Sequence, residues 1–118
     1  MASANETTVS SIIVHPDNGY MLEKIGGAAS SPSDATLAGA ALATMRPRVE
    51  GFRDALNQRG LYGDDMTADA LYVFGRADAY LKSAPNKPAA EDLRIMTQTL
   101  RPRLTEMEDA ARDIDNEK

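Results

Sequence analysis

The chain contains no cysteine and no tryptophan. Without thiols it has no disulfides, no thiolate zinc site and no cysteine nucleophile. Aromatic residues are scarce, with four Tyr and two Phe in 118 residues. A chain poor in aromatics and rich in alanine favours close-packed helices over a thick β-sandwich. Lys and Arg total 13 against 18 Asp and Glu, for a net charge of −5. That shortage of positive charge argues against nucleic-acid partners and against anionic membranes. No apolar run approaches membrane-spanning length. Met1 to Thr8 has neither the basic stretch nor the long apolar stretch of a secretory signal, so a cytoplasmic protein is expected. His15 is the single histidine. It has no second imidazole for a metal site, and no serine stands out as a catalytic partner. Asp64-Asp65 and Asp17-Asn18-Gly19 lack the ligand spacing of a calcium loop, and Gly26-Gly27 is not a dinucleotide fingerprint. The expectation is no cofactor, no metal and no enzymatic activity.

What the chain does have is helical periodicity. Ser31-Pro32-Ser33-Asp34 is a helix start, with a hydroxyl cap, proline in the first turn and an acid after it. Ala38, Leu42, Met45, Val49, Phe52 and Leu56 then form one apolar stripe, with Gly60 and Gly63 as the stop. A second helix is expected after Asp64-Asp65, or from Thr67 as its cap. Its stripe is Met66, Ala70, Val73, Ala77 and Tyr80, with Leu71, Phe74 and Leu81 widening the face. Pro85 and Pro88 bracket its end. A third carries Leu93, Met96, Leu100, Leu104, Met107, Ala111 and Ile114. Its acidic end, including Asp113, Asp115 and Glu117, opposes the helix dipole and is expected to fray.

The N-terminal segment has a different pattern. Thr7 to Val14 is rich in β-branched residues, and His15-Pro16-Asp17-Asn18-Gly19 is a strong turn signal. Tyr20 to Ile25 is then a returning strand or a single helical turn. The sequence therefore predicts a mainly α protein. Residues 31–118 form a three-helix up-down-up bundle with kinked first and third helices. Residues 1–30 form a tail, an N-terminal β-hairpin or extended arm, and a small-residue linker.

Thr44-Met45-Arg46-Pro47-Arg48-Val49 recurs as Thr99-Leu100-Arg101-Pro102-Arg103-Leu104. The match continues at the same offset through Phe52 and Met107, Asp54 and Asp109, and Ala55 and Ala110. Duplication of a helical unit and chance similarity of Ala- and Arg-rich helices both account for it. The apolar stripe keeps its phase across Pro47 and Pro102, which favours continuous helices over breaks. Parallel first and third helices would put Arg46, Arg48, Arg101 and Arg103, together with Arg76, into a basic girdle at mid-height. Guanidinium forks suit carboxylate or phosphate partners.

Two short resemblances accompany these features. His15-Pro16-Asp17 resembles the tripeptide with which J-domain co-chaperones stimulate their heat-shock chaperone partner, but the paired helices of that family do not precede it here. Leu71, Phe74, Gly75 and Ala77 resemble the first helix of a tetratricopeptide repeat, without its second helix in register. The contiguous Ile12, Ile13 and Val14 would leave apolar area exposed on an isolated hairpin, so this arm is expected to pack on the bundle or to form a homodimer. The functional expectation is a small acidic protein-binding module, an adaptor, regulator or chaperone-like partner. It would act through helix faces, the arginines or the arm; the alternative is a self-assembling structural subunit.

Overall fold

The structure is a computed structural model that describes residues 8–28, 31–83 and 86–117. It contains five helices: α1 (Val9–Ile13), α2 (Asn18–Gly26), α3 (Pro32–Gln58), α4 (Gly63–Lys82) and α5 (Lys87–Asn116). No strand occurs among the described residues. The start of α3 is as the sequence predicts, with the Ser31 hydroxyl accepting from the Asp34 amide at 3.1 Å. Both long helices run unbroken through their internal prolines. Pro47 and Pro102 face solvent, where the carbonyl each leaves unbonded in the helix can be hydrated.

The second predicted helix starts earlier than expected. Gly63 does not end α3 but opens α4, and it packs so tightly on α3 that a methyl there would collide with the Arg53 carbonyl. Tyr62, just before it, adopts the left-handed conformation (φ 55°), and Gly60 does the same at φ 71°. These two positive-φ residues reverse the chain in the space of one short corner.

The β-hairpin is the main correction. Residues 9–13 and 18–26 are helices, not strands. β-Propensity is a weak prior that burial overrides. Val9 and Ile13, four residues apart, share one helical face and are completely buried. Ile12 packs against Gly51, where the missing side chain makes room for it. Thr8 caps α1 by accepting from the Ser11 amide at 3.2 Å. The turn signal at His15–Gly19 marks the α1–α2 corner rather than a hairpin loop. Leu22 and Ile25 continue the buried face along α2.

The segment expected to be an arm is therefore the fourth column of the bundle. α1 and α2 lie antiparallel to both α3 and α5 and fill the side that α4 leaves open. Around the ring the order is α2, α3, α4, α5, with α5 back against α2. A three-helix bundle is thus replaced by four antiparallel columns, one of them broken at Val14–Asp17. The buried apolar residues of all five helices form one core cluster.

The sequence repeat extends through this whole architecture. Ser31 and Asn86 cap α3 and α5 in the same way, and the hydroxyls of Thr44 and Thr99 each return to a carbonyl four residues earlier at 3.0 Å. The buried pairs Ala38 and Leu93, Met45 and Leu100, Val49 and Leu104, and Phe52 and Met107 keep the same spacing. So do Leu22 and Ala77, and Ile25 and Tyr80, on the returning columns. Exchanging α1–α2 with α4 and α3 with α5 reproduces the pattern of neighbours. The molecule is two helical hairpins related by an approximate two-fold axis along the bundle.

Candidate functional site: the groove between α4 and α5

The two-fold relation decides where the arginines go. Arg46 lies in the α3/α4 groove and Arg101 in the equivalent α5/α2 groove. Arg48 faces α2, and Arg103 faces α4. The four arginines of the repeat thus occupy four separate grooves and do not form one patch. Only Arg103 and Arg76 share a groove, the one between α4 and α5.

Arg48 is a structural clamp. Its guanidinium donates to both carboxylate oxygens of Asp17 (2.7 and 3.2 Å) and to Asn18 Oδ1 (2.8 Å). Asn18, buried, in turn donates to the Ile13 carbonyl at 2.8 Å and to Glu108 at 3.0 Å. The hydrogen bond from Arg48 holds the Asp17 carboxyl below its usual value of 3.8. This chain of bonds joins α2, α3 and α5 at the break in the fourth column. It also accounts for Asp17 in the His15-Pro16-Asp17 motif, whose carboxylate is occupied by Arg48. His15 only approaches the Ile12 carbonyl, at 3.2 Å.

The acidic end of α5 is held in place and does not fray. Helix α5 continues to Asn116, and Asp115 accepts from the Val9 amide at 2.8 Å and from the Ser10 amide at 3.0 Å. The Ser10 hydroxyl also donates to it. Partial burial works to raise the Asp115 carboxyl, but these Ser10 and Val9 bonds outweigh it and the pKa is lowered. A carboxylate unfavourable for its own helix serves as the N-terminal partner of α1. Of the expected arm residues, Ile13 is buried, and Ile12 and Val14 are partly buried against the core. All three are spent inside the molecule.

One open apolar surface carries residues that lie off the stripes of the sequence. Between α4 and α5 lies a cavity of about 340 Å³, floored by Val73, Met96 and Leu100. Tyr72 and Ile95 flank it, 62% and 52% exposed. A second hollow of about 220 Å³, lined by Arg76, Ala79, Ala89 and also Met96, continues the groove along the same two helices. At one end Asp69 and Glu106 share Arg103 (3.2 and 3.8 Å). Toward the other end Arg76 forms no ion pair among the described residues. Tyr72 and Ile95 are apolar residues left over from the stripes of their helices, and that was the available signal.

The equivalent groove in the other half carries different side chains. The repeat offset carries Tyr72 onto Asp17, Val73 onto Asn18 and Arg103 onto Arg48. In that half the Arg48 side chain is only 15% exposed and lies across the groove to clamp α2. Arg103 is 49% exposed and reaches outward to Asp69. The two halves share a backbone plan and differ in what fills this groove.

A smaller apolar patch, Leu61, Tyr62 and Met66, caps the α3–α4 corner. In the tetratricopeptide-like stretch, Gly75 faces open space, so its lack of a side chain serves no close helix approach. Among the described residues no group of three His, Asp or Glu comes together as a metal site, and no helix is long and apolar enough to cross a membrane. No protein-family model, curated protein or solved structure matches the chain.

Proposed function

We propose that this protein is a small helical binding module whose α4/α5 groove docks an amphipathic helix of a second protein. The observation that carries this reading is the open apolar groove under Tyr72 and Ile95, where the other half carries the Arg48–Asp17 clamp. A partner helix laid there would seat i, i+3, i+4 and i+7 apolar residues over Met96 and Leu100. Aromatic and aliphatic anchors at such a centre supply most of the affinity of a helix-in-groove interface. The charged ends set its direction. The Asp69–Glu106 rim, with two acids and one arginine, fits a basic residue, and Arg76 fits an acidic one. The net charge of −5 favours a basic partner overall.

The test pairs wild type with Tyr72→Ser/Ile95→Asp in capture from native lysate, with Arg46→Ala as a control outside the groove. The expected result is a partner held by wild type and by Arg46→Ala but lost by the groove variant. A helical peptide from that partner should then shift the amides of residues 69–76 and 95–103. A partner held equally by all three proteins would remove the groove from the reading. Sedimentation that shows a wild-type dimer and a monomeric groove variant, with no other partner, would replace it with a self-assembling subunit.

A further inference from the structure

We infer that the α2/α5 groove is a binding site for a small solute bearing a carboxylate or phosphate group beside a hydroxyl or ammonium. The two-fold relation supplies the reference for this inference. The α3/α4 groove and the α2/α5 groove are built from equivalent positions, with cavities of about 390 and 250 Å³. In the α3/α4 groove every charge is satisfied locally. Arg46 pairs with Glu50 at 3.8 Å, and Lys82 pairs with Asp78 at 2.9 Å. The other residues lining it are Gly39, Leu42, Ala43, Pro47 and Leu81.

The α2/α5 groove inverts this composition. Gly39 and Ala43 become Arg94 and Gln98, and Leu81 and Lys82 become Gly26 and Gly27. The positions of Glu50 and Asp78 become Thr105 and Glu23. Both local ion pairs are therefore gone. Arg101 has no carboxylate partner among the described residues and only reaches the Gly19 carbonyl at 3.4 Å. Glu23 has lost the cation that lay four residues along. Arg94 is held by Glu91 alone, in an exposed i, i+3 pair of the kind that contributes little. The two glycines remove side chains that would fill the cavity. At Gly26 a methyl would strike the Thr97 hydroxyl, so the helices meet closely beneath the cavity while its mouth stays polar.

Arg94 and Arg101 stand two turns apart on one helix, about 10 Å along its axis, with Gln98 between them. Their guanidinium groups reach Glu91 and the Gly19 carbonyl, and both would swing inward to meet an oxyanion over Gln98; forked donors suit carboxylate and phosphate equally. Glu23, across the cavity, would accept from the solute's hydroxyl or ammonium.

The experiment is a titration of the isotope-labelled full chain, followed by amide shifts, with inorganic phosphate and separately with citrate. Sodium chloride at matched ionic strength is the blank. The expected result is saturable shifts, with at least one of the two anions, confined to residues 22–28 and 94–101. Phosphate alone or citrate alone identifies the head group. Arg101→Gln should weaken the binding about tenfold or more. Arg46→Gln, at the equivalent position in the other groove, should leave it unchanged. No saturation with either anion up to tens of millimolar would overturn the inference. So would equal weakening by Arg46→Gln, or the same shifts with chloride.

Discussion

Arg48 and Arg103 occupy equivalent positions in the repeat, yet they do different work. Arg48 ties two elements together from a mostly buried position, and its removal would leave Asn18 Oδ1 without that donor and Asp17 unpaired. Hydrogen bonds to charged groups contribute about 1.5–3 kcal/mol, and the 42% exposure of Asp17 moves the estimate to the low end. Arg48→Ala is expected to cost about 1.5–2 kcal/mol in urea unfolding. Arg103→Ala, whose partners are exposed, should cost less than about 1 kcal/mol. Equal losses would contradict the clamp. Asp17 and Asp115 both have depressed folded-state pKa values. The stability they add is therefore present above the usual aspartate pKa of 3.8 and is lost as the pH falls through their folded values. Hydrogen exchange should show α1 and α2 losing protection first on acidification into that range. In Asp115→Asn the part of this loss assigned to α1 should disappear.

At the scale of the element, the prolines of α3 and α5 offer the clearest test. A mid-helix proline costs about 3 kcal/mol in a helix interior, offset by about 0.4–1 kcal/mol through the stiffer unfolded chain. Pro47→Ala and Pro102→Ala each restore a backbone donor on an exposed face, so each should add about 2–2.5 kcal/mol of stability, read as a higher melting temperature. A fall in stability would mean that the proline-shaped backbone is itself needed to fit the neighbouring column. Helix α1 shows the opposite dependence. Five residues, three of them β-branched, have no helical stability alone. They are helical because Thr8 and Asp115 bind their free amides and because Val9 and Ile13 fall on one face.

For the whole molecule, the two-fold arrangement brings the start of α1 against the end of α5, since Ser10 binds Asp115. The two hairpins meet at the Gly60–Tyr62 corner. A circular permutant that joins residue 118 to residue 1 and opens the chain at Gly60–Leu61 should keep the helical content and the cooperative unfolding of wild type. Loss of cooperativity would show that the corner, and not the pairing of hairpins, organises the bundle.

The sequence by itself determined the three long helices, the Ser31 start, the passage through both prolines and the repeat offset. These are local properties, set by a 3.6-residue period, a cap and a phase that survives the proline. Only the tertiary structure decided that residues 9–13 and 18–26 are helical, because that outcome depends on a face buried against α3 and α5 and on a cap from Asp115, about a hundred positions away. The same holds for the arginines. Their spacing put them at one height, but the direction each one faces depends on which column flanks it. The fourth column sends Arg46, Arg48, Arg101 and Arg103 into four grooves. Tyr72 and Ile95 were visible as apolar residues off the stripe, but whether they cover a groove or stand alone depends on how α4 and α5 pack. A period along the chain tells which face of a helix turns inward. What the outward face meets is settled by the neighbours, and it is on those outward faces that both proposed sites lie.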